Sequence, residues 1–263
     1  MVEGVTARLA QNLSAATLGH DDPQTVRDGA PAFLLLVDGL IEGSPDDTQT
    51  LLAGSRLYSA YVGAFVGDPD RAKRLADRAF EYGRRALCER EPSVCAAVDG
   101  PFDDFASRLA EVSPRNIDGL YVFSTAWAGW VQVHADDWNA IAQLPKVEAA
   151  LRRVVEIDDG YDDGNAHLYL GVLNTQLPSG LGGRPELGRQ HFERSIALSK
   201  GRNLLAKVLF AKQYARLTFD RNLHDRLLRE VLESDPRSPG LTLSNVLAQE
   251  QASELLEESA DYF

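Results

Sequence analysis

The residue types that most often do chemistry are few here and do not converge. The five histidines are His20, His134, His167, His191 and His224. No two stand at the i,i+4 spacing that sets two imidazoles on one helix face, and none belongs to a His-Glu-x-x-His stretch. Asp158-Asp-Gly-Tyr-Asp-Asp-Gly164 has the acidic character of a calcium loop. However, Tyr161 stands where a third-position oxygen ligand is required and Leu170 where a bidentate Glu is required, so the stretch reads as a turn between helices. Gly180-Leu-Gly-Gly183 lacks the Gly-Lys-Ser/Thr of a phosphate loop, and the chain has no Gly-x-Ser-x-Gly elbow. Its glycines fit a turn that needs positive φ. The residues therefore predict a non-enzyme, with no catalytic group, metal or cofactor.

Cys88 and Cys95 are the two cysteines. The pair is too isolated for a four-ligand zinc site, and by themselves the residues leave a local disulfide and two free thiols both open. The run Arg71, Lys73, Arg74, Arg78, Arg84 and Arg85 faces only Asp77 and Glu81 within its own stretch. It reads as a solvated helix face, with a docking patch for an acidic partner or for lipid headgroups as the alternative. Over the whole chain, 27 basic and 39 acidic residues give 27 − 39 = −12, which argues against wholesale binding to nucleic acid or an anionic membrane.

The elements that must position these side chains are helices. The chain has 36 Leu and 32 Ala against 5 Ile, a bias toward helix formers and away from the β-branched residues that strands favour. Apolar residues recur every three or four positions, as in Leu120, Phe123, Trp127 and Val131, or Leu223, Leu227 and Val231. Breakers such as Gly43-Ser-Pro45, Gly67-Asp-Pro69, Gly100-Pro101, Lys200-Gly201 and Asp235-Pro236 cut these stripes into short helices, which short connections fold into antiparallel pairs. Small residues recur where paired helices approach: Gly63, Ala72, Ala76 and Ala79 in one pair, Gly171, Gly188 and Ser195 in another.

The expectation is an all-α fold of antiparallel helical hairpins, cryptic tetratricopeptide-like repeats in an α-solenoid or compact array. One domain spans 1–263, with hairpins near 45–90, 115–160, 163–200 and 202–236 and a closing helix and tail over 238–263. The longest apolar run, Ala30 to Val37, is under half of the ~20 residues a transmembrane helix needs, and residues 1–20 carry Glu3 and Arg8 without a compact apolar core, so neither a membrane span nor a secretory signal is visible.

Aromatic residues bunch along the expected first helices of these hairpins, which in such repeats line a concave surface. Most should fill the core, but Trp127 and Trp130 cannot both point inward from one helix. The candidate ligand cleft is accordingly Trp127, Trp130, Tyr169 and Tyr214, with Asn174 and Lys207 as polar partners.

Three stretches together resemble the T component of tripartite ATP-independent periplasmic (TRAP) transporters. They are Arg27-Asp-Gly-Ala-Pro31 with Phe33 to Leu40 and Leu51 to Phe65; Leu177-Pro-x-x-Leu-Gly-Gly183 before Phe192-Glu-Arg-Ser195 and Ala206-Lys-Val208; and Asn245-x-x-Ala248 with Ala252, Leu255-Leu256 and Asp261-Tyr-Phe263. The segment Cys88 to Pro114 carries little of the resemblance. The resemblance implies a periplasmic accessory protein, with a signal and a lipidated Cys upstream of Val2, that binds a TRAP solute-binding protein and holds or passes a hydrophobic small molecule. It also implies a homotrimer. An exported chain would in turn have Cys88 paired with Cys95, because the compartment is oxidising. The rival reading is a helical-repeat scaffold that recruits proteins without passing a ligand.

Overall fold

The computed structural model describes Asn12 and residues 15–263, and in these the chain is helical with no strand. It divides into two compact units, one containing residues 24–158 and the other residues 18–23 with 159–263.

In the first unit, α1 (Pro23–Gly43), α2 (Thr48–Phe65), α3 (Pro69–Arg90) and α6 (Ile117–Val133) form the main layers. The starts are written in the sequence. Asp47 caps α2 by accepting from Thr50 N, and Asp68 caps α3 by accepting from Arg71 N just before Pro69 at the first helical position. The alanines of α3 are buried and bring backbones together. A Cβ on Gly83 would lie 3.0 Å from Ser55 Oγ on α2 and 3.3 Å from Phe123 Cα on α6, so three helices meet at that glycine. The core beside it is aromatic, with Phe123, Trp127 and Phe105 fully buried and the Phe123 and Trp127 rings 5.0 Å apart. The short helices α4 (Pro92–Ala97), α5 (Phe102–Leu109) and α7 (Trp138–Ile141) lead to α8 (Leu144–Ile157). Lys146 on α8 is buried, and its ammonium donates to the carbonyls of Val98 (2.7 Å) and Gly100 (2.5 Å), which satisfies two carbonyls beyond the end of α4. The Glu91-Pro92 break separates α3 from α4, and the sulfurs of Cys88 and Cys95 are bonded across it.

In the second unit, α9 (Tyr161–Asn174) and α10 (Pro185–Leu198) form the tightest pair. A Cβ on Gly171 would come within 2.8 Å of the Phe192 ring, and one on Gly188 within 3.0 Å of Gly171 O. Within the first residues of α9 the acidic stretch is a turn, with Asp162, Asp163 and Gly164 all left-handed (φ 51°, 54° and 77°), so regular helix begins only after Gly164. Asp tolerates that region better than most residues, and Arg202 binds Asp163 at 2.9 Å. The glycine-rich connection obeys the same logic: Gly182 has φ 87°, and a Cβ on Gly183 would lie 1.7 Å from Leu177 O.

The rest of this unit is α11 (Leu204–Leu209), continued without a break by a π-helical segment (Phe210–Ala215), then α12 (Arg221–Glu233), α13 (Thr242–Glu257) and the terminal turn α14 (Ser259–Tyr262). Phe192, Phe210, Leu228, Val231, Ala248 and Ala252 pack its core. Asn245 is fully buried and works as a clasp. Its Oδ1 accepts from Leu204 N (3.0 Å) and its Nδ2 donates to Arg202 O (2.9 Å) and Pro236 O (3.0 Å), which satisfies backbone groups at the start of α11 and in the loop before α13.

Candidate functional site

Within the second unit, α10, α11 with its π segment, and α12 enclose an open groove of about 800 Å³. Its floor is apolar, made by Ile196, Phe210, Leu223 and Leu227, and its walls are charged. On one wall Lys207 Nζ donates to Glu230 Oε2 at 2.8 Å and Arg226 to Glu230 Oε1 at 3.2 Å. The Lys207 hydrogen bond holds the Glu230 carboxyl below the ordinary carboxylate range, against a smaller opposing effect of burial. Toward the other end Tyr214 Oη donates to Glu186 at 2.7 Å, and Glu186 pairs with Arg189 at 3.1 Å. Burial first, and the bond to Glu186 second, push the Tyr214 phenol up to about 12, so it remains a donor throughout the physiological range. The groove thus joins a hydrophobic floor to a rim of neutralised ion pairs, the chemistry of a binding site for an amphipathic or apolar molecule.

The groove wall is unusual in its backbone. Phe210 and Tyr214 both belong to the π segment, whose wider turn is rare overall and frequent at functional sites. The Phe210 ring stacks on Phe192 with centroids 5.4 Å apart, which anchors the floor to the α9–α10 pair.

Of the six residues expected to form a cleft, Lys207 and Tyr214 line this groove. The others lie elsewhere. Trp127 is 1 % exposed and sits in the first unit's core. Trp130 is partly covered, donating from Nε1 to Asp77 at 2.8 Å and stacking on Phe80 and His134. Asn174 is buried at the α9–α10 crossing and donates to Leu170 O at 2.8 Å, while Tyr169 is partly covered on α9, its phenol pushed up to about 12 by burial. The exposed tryptophan is Trp138, 82 % accessible on α7. Its signal in the sequence was its place directly after Asp136-Asp137, where no apolar stripe claims it.

The basic run of α3 is largely consumed by partners. Lys73 binds Asp136, Arg78 binds Asp38, Arg84 binds Asp99, Arg85 donates to Pro45 O, and Arg71 donates to and lies over Tyr61. That arrangement makes a solvated, ion-paired face, and beside it a shallower depression of about 450 Å³ contains Asp38, which accepts from Tyr58 (2.8 Å) and Tyr82 (2.7 Å). Among the described residues no cluster of three or more His, Cys, Asp or Glu side chains is arranged to hold a metal, and no helix is long and apolar enough to cross a membrane.

Fold and groove together define an all-helical protein of two units, the second with an open groove. A family model described as TRAP transporter T-component matches residues 19–263, nearly the whole chain, and the protein belongs to that family. It is accordingly an accessory component of a TRAP transport system. No curated protein matches the chain significantly.

Proposed function

We propose that this T component binds the solute-binding protein of its transport system and holds the apolar part of a small solute in the groove of the second unit. The observation that carries this reading is the groove itself, where Phe210, Leu223 and Leu227 offer an apolar floor between the Lys207–Glu230 and Tyr214–Glu186 pairs. Binding to the partner uses exposed side chains, and Trp138 is the anchor with the largest accessible apolar surface in the first unit. The protein works in the periplasm as a lipid-anchored homotrimer, with Cys88 and Cys95 paired by the oxidising compartment. The exposed Leu35 and Leu36 on α1 are the apolar surface that assembly would cover.

Titration calorimetry against the solute-binding protein of the same system, with and without its solute, tests the central claim. Binding in at least one state, and a small molecule released from the purified protein on denaturation, support it. A folded protein that binds neither is a scaffold for other partners. Light scattering decides the trimer, and alkylation of unreduced periplasmic material decides the disulfide, since two reactive thiols would rule the bond out.

A further inference from the structure

Away from the groove, the α9–α10 pair contains a histidine contact that the binding role does not use. His167 Nδ1 lies 2.8 Å from His191 Nδ1, and His167 Nε2 lies 2.9 Å from Asp159 Oδ1. His167 is 5 % exposed, while His191 is half-buried. The ring centroids are 5.1 Å apart, and the difference of 5.1 − 2.8 = 2.3 Å is taken up by the two ring radii, so the two nitrogens face each other head-on.

That geometry, with the nitrogens 2.8 Å apart, suits a shared hydrogen. An ion bonded to both nitrogens at about 2.0–2.1 Å along this line would need them about 4 Å apart. A hydrogen bond needs the observed separation. Since Asp159 is an acceptor, His167 Nε2 carries a hydrogen, and a neutral His167 then presents a bare lone pair at Nδ1 to the N–H of His191. One proton can be added to the pair without loss of the contact, because His191 can be protonated at Nε2 while a single hydrogen stays between the facing nitrogens. A further proton cannot. It places N–H groups on both facing atoms and positive charge on both rings.

We propose that the His167–His191 contact is a proton-operated clasp between α9 and α10, closed while one hydrogen lies between the rings and driven open when both imidazoles become cations. The charged groups that face the pair include Asp159 from the segment before α9 and Arg194 from α10, with the Asp163–Arg202 ion pair next along the same seam. Arg194 holds the Asp159 carboxyl below the ordinary carboxylate range, which keeps an ionised acceptor beside His167 Nε2. The clasp has a route to the groove. On α10, His191 and Arg194 point to the seam, whereas Arg189, Glu193 and Ile196 on the other side of the same helix line the groove. Only this consequence rests on the groove being the binding site.

The test uses the intact protein without any ligand. Ring-nitrogen NMR of His167 and His191 is followed from about pH 7.5 to about pH 5, spanning the ordinary imidazole range, together with Tm for the wild type and for His191→Gln. Glutamine can still donate to His167 Nδ1 but takes up no proton. The expected result is loss of the inter-ring contact in the spectra as the second ring becomes a cation. A fall in Tm on the order of 2–4 °C should accompany it in the wild type and be absent or much smaller in the variant. Two doubly protonated rings with the contact intact, or the same Tm slope in both proteins, would overturn the proposal.

Discussion

Lys207 on α11 and Glu230 on α12 meet at 2.8 Å across the wall of the groove, with the lysine side chain 14 % exposed and the carboxylate 39 %. A carboxylate whose folded pKa is lowered contributes stability above its unfolded value of about 4.3, and that contribution is lost as pH falls through the folded value. Because the Glu230 side chain is 39 % exposed, solvent screening limits the pair to about 0.2–1 kcal/mol. Glu230→Gln should therefore cost that much at neutral pH and nothing at strongly acid pH. Urea unfolding at both pH values measures it, and an equal loss at the two would show that the contribution is not ionic.

Trp127 and Trp138 are expected to separate folding from recognition. Trp127→Ala removes a ring packed against Phe105 and Phe123 and should lower stability by ~3–5 kcal/mol. Trp138→Ala removes an 82 % exposed ring and should leave the melting curve within ~0.5 kcal/mol of wild type while weakening affinity for the solute-binding protein. Thermal denaturation and calorimetry on the same samples check both. A Trp138→Ala protein with unchanged affinity would remove this residue from the docking surface.

The close crossing of α9 and α10 depends on Gly188, where a Cβ would lie 2.5 Å from Thr175 Cγ2. Gly188→Ala should cost ~1–3 kcal/mol from overpacking. Adding Thr175→Ser removes that methyl but keeps the hydroxyl that donates to Gly171 O, so the double variant should recover part of the loss. Denaturant titration of the four proteins gives the coupling, and strict additivity would place the clash on the Gly171 carbonyl instead.

Phe219 ends the π-containing helix in a left-handed conformation (φ 55°) with its ring 74 % exposed and stacked on Tyr262. A left-handed residue that is not glycine costs about 1–2 kcal/mol, least for Asn and Asp. Phe219→Asn should be neutral or stabilising in thermal unfolding, whereas Phe219→Val should destabilise. Destabilisation by both variants would mean that the ring stack outweighs the backbone strain.

Local rules made the helices legible in advance. Asp47, Asp68-Pro69 and Asp220 cap helices where the sequence places an acceptor before an apolar stripe, and the small residues Ala72, Ala76, Gly171 and Gly188 mark close helix pairs. Capping and packing periodicity act over three or four residues, so a single stretch of chain carries the whole signal. The same applies to the presence of a turn around Gly164 and to the class of the protein, whose motifs run in order along nearly the whole chain.

The site was decided elsewhere. His167 and His191 are 24 residues apart, and the i,i+4 rule for one helix cannot see two rings that meet across a hairpin. Lys207 and Glu230 face each other only because α11 and α12 pack side by side, and the π segment that carries Phe210 and Tyr214 has no cap or breaker to announce it. Trp127, Trp130 and Trp138 are alike in composition, yet one is core, one is hydrogen-bonded to Asp77 and one stands in solvent. Exposure and convergence depend on which faces neighbouring helices leave open, a property of the packed unit that no local pattern contains.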